Sequence, residues 1–220
     1  MASRSALLVG ATGLVGSHLL KRLLVLPDYR RVAVWVRREV PLRDPKLTQV
    51  LVDFEKLQQY SSALDAEDVF VALGTTIKQA GSQPAFYRVD YDYPVQIASL
   101  AKQAGVQRFL MVSALGADAR SRVFYNRVKG EAEDAIRKLG LPKLWVFRPS
   151  LLLGSRAESR PGEKVGEVVG KLIAPLLVGG LRKYRPIEAD AVAAAMVYVA
   201  THDVAPGVIE SDEIARLAAL

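Results

Sequence analysis

Three glycines at a three-residue interval, Gly10, Gly13 and Gly16, interrupt an apolar stretch near the start of the chain. Before them, Ala6-Leu7-Leu8-Val9 is a short run of strand type. After them, Leu14, Val15, Leu19, Leu20, Leu23 and Leu24 fall at helical spacing. A strand that turns on glycines directly into a helix is the form of a dinucleotide site. The first glycine permits the tight turn, the second lets backbone approach a pyrophosphate, and the third lets the helix pack closely on the strand. The peptide N–H groups of Thr12, Gly13, Leu14 and Val15, at the positive end of the helix dipole, would hold the phosphates. A second apolar strand, Val32–Val36, follows at the distance of a helical crossover and completes a βαβ unit of about 30 residues.

Beyond this unit, strand-like and helix-like segments keep alternating. Strands are expected near Val50–Val52, Val69–Leu73, Phe109–Val112 and Leu144–Phe147, with a last one near Val208-Ile209. Helices are expected over Glu55–Leu64, Pro84–Ala104 (kinked or interrupted by Pro94), Arg122–Lys138 and Glu188–Thr201, and from Ser211, whose hydroxyl is suited to cap it. Such alternation predicts an α/β fold, a doubly wound parallel sheet with helices on both faces. At 220 residues, with no linker or repeat, the chain is expected to form one domain, 1–220. Residues 154–187 form a small region expected to cover the substrate.

Composition narrows the chemistry. Half of the residues are hydrophobic, which excludes a disordered chain. The absence of cysteine excludes disulfides, thiolate metal sites and a cysteine nucleophile, and two distant histidines offer no metal site. The net charge of +7 suits an anionic ligand, but the basic residues are spread in pairs without interleaved aromatics. Nucleic acid is therefore not the expected partner. The longest uncharged apolar run, Ala191–Thr201, is shorter than the ~20 residues that span a bilayer. The first strand begins too early to leave room for a signal peptide, so a cytoplasmic protein is expected.

The carboxyl ends of the parallel strands are where ligands bind in such sheets. The second strand ends on Arg37 and Arg38, where an acidic residue would otherwise bind the ribose hydroxyls of NAD. Their guanidinium forks suit a 2′-phosphate, so NADP is the expected cofactor. Asp53 and Phe54 close the third strand, Asp53 being placed to accept from an adenine amino group or to cap the next helix. Leu73, Gly74 and Thr75 close the fourth, where a glycine lets backbone approach the cofactor.

Ser113 ends the fifth strand, and Tyr125 and Lys129 follow four residues apart on one face of a predicted helix. A free tyrosine, with a pKa of ~10, is a poor acid or base near neutrality; a neighbouring ammonium favours its phenolate. The set predicts proton transfer by Tyr125, supported by Lys129, with Ser113 orienting the substrate oxygen. Glu131, Glu133 and Asp134 read as a solvated helix face. Trp35 and Trp145 read as core.

These residues resemble the short-chain dehydrogenase/reductase superfamily. The Gly10-x-x-Gly13-x-x-Gly16 spacing is similar to its extended and atypical branches. Leu73-Gly74-Thr75-Thr76, Val89–Tyr93, Val128-Lys129-Gly130-Glu131, Phe147-Arg148-Pro149 and Glu158–Glu163 resemble its Tat-interacting-protein-like oxidoreductases. The resemblance implies a Rossmann fold, a Ser113–Tyr125–Lys129 catalytic set, Lys129 on the nicotinamide ribose, and Arg148 and Pro149 leading into a loop near the nicotinamide. Many members add an asparagine from the fourth helix. The one asparagine here is Asn126, beside the tyrosine, and Asp90 stands in the related place. The expected activity is NADP-dependent hydride transfer to or from a small, apolar carbonyl or alcohol, by a monomer or homodimer. The rival expectations are a cofactor-binding sensor or scaffold with a protein partner, and an epimerase or dehydratase with bound NAD.

Overall fold

β1 (Arg4–Val9) is an interior strand of a seven-stranded parallel sheet, between β2 (Tyr29–Val36) and β4 (Asp68–Val71). The computed structural model describes residues 4–154 and 177–220. The expected run Glu158–Glu163 and most of the expected covering region lie outside them. The sheet continues outward from β2 to β3 (Leu47–Leu51). On the other side it runs through β5 (Arg108–Val112) and β6 (Leu144–Arg148) to β9 (Gly207–Glu210). The strand order therefore reverses at β1, and a crevice opens between the carboxyl ends of β1 and β4. Two short strands, β7 (Leu152–Leu153) and β8 (Ile187–Glu188), pair apart from the main sheet.

Strand periodicity explains the two layers of core. Ala6 and Leu8 of β1 face one cluster, while Leu7 and Val9 face the other. The first cluster is closed by α1 (Leu14–Val25) and α6 (Ala189–Thr201), through Leu19, Leu23, Val192 and Met196. The second lies under α4 (Tyr93–Gln103) and α5 (Phe124–Lys138), through Ile97, Ala101 and Ile136. Truncating any of these leucines or isoleucines to alanine removes about 2–5 kcal/mol. Trp35 and Trp145 are buried, and the Trp145 indole N–H donates to the Ala205 carbonyl at 3.0 Å.

Three expectations are corrected. The helix expected over Glu55–Leu64 is a run of 3-10 turns, Phe54–Ala63, broken at Lys56. Only Phe54 and Leu57 anchor it to the core, too few for an amphipathic α-helix. Ser211 does not cap the last helix, α7 (Ser211–Leu217); it is the first residue inside, and its hydroxyl joins Ser150 instead. Glu133 is no solvated residue, being 1% exposed.

The segment around Pro94 has a more telling shape. Two short helices, α2 (Ile77–Ala80) and α3 (Gln83–Tyr87), precede a π turn, Arg88–Asp92, that leads into α4. Pro94 has no N–H to return to the Asp90 carbonyl. The N–H of Tyr93 reaches back five residues to Arg88 rather than four. The widened turn sets Asp90 inward, where it is 1% exposed.

Candidate functional site

The glycine turn is built as the spacing requires. Gly10 has a φ of +95°, and a Cβ there would lie 2.5 Å from the Ala72 carbonyl oxygen. A Cβ on Gly16 would lie 2.0 Å from the Gly10 carbonyl oxygen, so this glycine lets α1 settle on the turn. Gly13 is the N-cap of α1; no side chain caps it, and the first turn carries no acidic residue. The helix therefore presents backbone donors and dipole to the crevice without a competing side chain.

A cleft of about 1010 Å³ opens at this point. Gly13, Leu14 and Val15 form one wall, and Leu73, Gly74 and Thr75 after β4 another. Ser113, Tyr125, Lys129 and Pro149 complete it, with Leu151–Gly154 at the mouth. The expected catalytic residues and half of the expected cofactor residues thus share one cavity.

Each of the three expected catalytic side chains is held by its element. Ser113 continues β5, its N–H donating to the Phe147 carbonyl at 2.7 Å. The Tyr125 ring packs on buried Phe86, ring centroids 5.5 Å apart. Lys129 lies one turn further along α5, and its Nζ contacts Asp90 Oδ1 at 2.7 Å. The other oxygen of Asp90 accepts from the Thr75 N–H at 3.0 Å. Burial works against the Lys129 charge, but the Asp90 carboxylate and the nearby Tyr125 oxygen outweigh it and raise the pKa above the usual 10.5. A Cβ on Gly74 would come within 3.7 Å of Nζ, so this glycine keeps the space beside the ion pair clear.

The remaining expected residues lie elsewhere. Arg37 and Arg38 are exposed just past β2, and Thr12 is exposed in the glycine turn. Asp53 caps the 3-10 turns, accepting from the Glu55 N–H at 3.0 Å. Phe54 is core and packs on Tyr93 at 5.2 Å. The Tyr93 hydroxyl is pushed up to about 12 by burial and by donating to Glu55, with Arg88 and Arg37 acting in the opposite sense. Arg37 is therefore within electrostatic reach of this corner.

Arg148 does not line the cleft. Its guanidinium turns away from it, Nε donating to Glu133 Oε1 at 3.0 Å, Nη2 to Glu133 Oε2 at 2.5 Å and Nη1 to Glu210 at 3.3 Å. Glu133 in turn accepts the Ser113 hydroxyl at 2.5 Å. Sequence reasoning missed Glu133. Its one signal is position: Tyr125, Lys129 and Glu133 recur at four-residue steps along one face of α5.

A family model described as NAD(P)H-binding matches residues 10–203. The chain belongs to this NAD(P)H-binding family. It is 41% identical over 167 residues to the protein HTATIP2 of Rattus norvegicus, covering 74% of this chain and 69% of that one. It is 32% identical over 217 residues to the mitochondrial protein FMP52 of Eremothecium gossypii, covering 97% and 96%. These matches are consistent with the HTATIP2-like branch that its motifs resemble. Among solved structures it is similar to MoeE5 in complex with UDP-glucose and NAD, with a TM-score of 0.69 at 17% identity over 98% of this chain and 81% of that one. It is also similar to WbmH of Bordetella bronchiseptica in complex with NAD+, with a TM-score of 0.72 at 17% identity, covering 95% and 76%. At these identities the structural likeness is one of fold. The fold and family are those of an NAD(P)-binding protein. Among the described residues, no helix is long and apolar enough to cross a membrane.

Proposed function

We propose that the chain is an NADP-dependent oxidoreductase acting on a small carbonyl or alcohol. The observation that carries this reading is the meeting of Ser113, Tyr125 and Lys129 with Gly13 and Gly74 on one cleft. The residues fit a dinucleotide: an uncapped helix N-terminus without acidic residues, and glycines where side chains would close the space. Gly13, Leu14, Val15 and the Leu73–Thr75 turn would hold the diphosphate and ribose, and Arg37 and Arg38 a 2′-phosphate. Thr12 and Pro149 would flank them, and Asp53 and Phe54 would border the adenine. When bound, the cofactor supplies or accepts the hydride.

The chain's own residues supply the rest. Tyr125 transfers the proton to or from the substrate oxygen. Lys129, kept charged by Asp90, supports charge on the Tyr125 oxygen during the transfer and would hold the nicotinamide ribose. Ser113 sits beside that oxygen and fixes its place. The aliphatic mouth, Leu151–Leu153, favours an apolar substrate. A monomer or homodimer in the cytoplasm completes the reading; the word mitochondrial in the FMP52 names belongs to those proteins, and fractionation of the tagged chain decides between compartments.

The test is Tyr125→Phe, assayed for NADPH binding by fluorescence and for turnover on a panel of carbonyls and alcohols. Unchanged binding with turnover lowered about 10²–10⁴-fold supports the reading. Normal turnover removes Tyr125 from the chemistry. Tightly held cofactor without net oxidation or reduction points instead to an epimerase.

A further inference from the structure

Among the described residues, three charged side chains line the cleft: Lys78, Asp90 and Lys129. Lys78 is exposed, so water and salt screen it. Lys129 and Asp90 are 5% and 1% exposed, and their fields reach the cleft with far less screening. A Cβ on Gly74 would stand 3.6 Å from Asp90 Oδ1 and 3.7 Å from Lys129 Nζ, so the glycine puts no side chain between the ion pair and the cleft. The Thr75 N–H holds the other carboxylate oxygen in place at 3.0 Å. Glu133, the buried carboxylate behind Ser113, is already matched by the Arg148 guanidinium at 2.5 Å. Asp90 is therefore the carboxylate that opposes Lys129 inside the cleft.

A nicotinamide ring carries one positive charge when oxidised and none when reduced, while the rest of the dinucleotide keeps its charge. The ratio of affinities for the two forms thus reads the electrostatic potential at the ring. A buried ammonium alone would repel the oxidised form. An ammonium with a carboxylate against it has no net charge. We propose that Asp90 sets the balance between the two redox forms: by neutralising Lys129 at the cleft wall, it lets the site take NADP+ as well as NADPH. The inference rests on the proposed placing of Lys129 at the nicotinamide ribose. It gives the carboxylate a role in cofactor selection, separate from joining α5 to the π turn.

The test compares Kd for NADPH, from fluorescence titration, with Kd for NADP+, from competition against NADPH. No turnover is needed. Damage to the cleft weakens both forms alike and leaves their ratio unmoved; a change of charge moves the ratio. Asp90→Asn, measured at about pH 6.5 so that the ammonium keeps its proton, is expected to raise Kd(NADP+)/Kd(NADPH) about tenfold. Lys129→Met, measured at about pH 8.5 so that the carboxylate is ionised, is expected to lower the ratio about tenfold, although both forms bind more weakly. The double variant Asp90→Asn/Lys129→Met, again without net charge, is expected to return within about twofold of the native ratio. The native protein is titrated at both pH values for reference. A ratio unmoved in either single variant, shifts of the same sign in both, or a shift that persists in the double variant overturns the proposal. Should one single variant fail to fold, the other and the double variant decide, because an uncharged pair is the replacement a buried ion pair tolerates best. A native protein that binds neither form refutes the dinucleotide reading itself, and the inference falls with it. Native binding of both forms with unmoved ratios refutes the inference alone.

Discussion

Lys129 Nζ and Asp90 Oδ1 lie 2.7 Å apart, with both side chains almost wholly out of solvent. Neither element would bury its charge alone. The pair ties α5 to the π turn before α4, and Thr75 secures the carboxylate from the cleft wall.

Replacing Asp90 by asparagine keeps the shape but leaves a buried ammonium without its counter-charge. The expected loss is about 3–5 kcal/mol at neutral pH, read from urea unfolding midpoints. The pH dependence has a definite sign. The folded pKa of Lys129 is raised, so its contribution is complete below the unfolded value near 10.4 and is lost as pH rises through the higher folded value. The native protein should weaken over that alkaline window, and Asp90→Asn should weaken less steeply. Parallel curves would show that the pair carries no linkage.

Gly130→Ala should displace α5. A Cβ at this position would stand 2.2 Å from the Ala119 nitrogen and 2.3 Å from the Asp118 carbonyl carbon. Both are backbone atoms, so the helix itself has to move. A cost of at least about 1–3 kcal/mol is expected, together with lowered turnover, because Tyr125 and Lys129 ride on the same helix. A melting temperature equal to that of the native protein would refute the close approach.

Arg37→Ser and Arg38→Ser should each weaken NADPH binding about 10–100-fold, the worth of a charge-assisted hydrogen bond, while NADH binding stays within about twofold. Fluorescence titration with the two cofactors distinguishes them. Equal losses for both would move the arginines from selecting the phosphate to general attraction.

At the opposite end of the sheet, Asp68 is fully buried and accepts from Arg4 at 2.7 Å, Tyr29 at 2.7 Å and Arg108 at 3.1 Å. Burial and then the Asp68 charge push the Tyr29 phenol far above its usual 10. Tyr29 therefore adds to the alkaline loss of stability, present below pH ~10 and fading above it. Tyr29→Phe should cost about 1–3 kcal/mol at neutral pH without changing cofactor affinity. A change in NADPH binding would contradict the separation of this cluster from the cleft.

Much of the architecture was readable because local signals agreed with one another. The β1–glycine–α1 unit is written in consecutive residues, and the alternation of strands and helices leaves few topologies. Tyr125 and Lys129 were legible because helical spacing alone puts them on one face. Glu133 shares that spacing, yet its burial depends on Arg148, fifteen residues on and on a strand, which only the folded sheet brings near. For the same reason Arg148 was expected at the cofactor. Pro94 signalled an interruption but not that the helix would widen rather than break, so the inward turn of Asp90 was not foreseeable from the proline.

The matched family stretch ends at residue 203, whereas Glu210 belongs to the outermost strand, seven positions later. Through Glu210, Arg148 and Glu133, that rim strand is mechanically continuous with the hydroxyl of Ser113. An excised fragment cut at the family boundary would keep every motif residue and yet forfeit the brace that keeps its serine aimed.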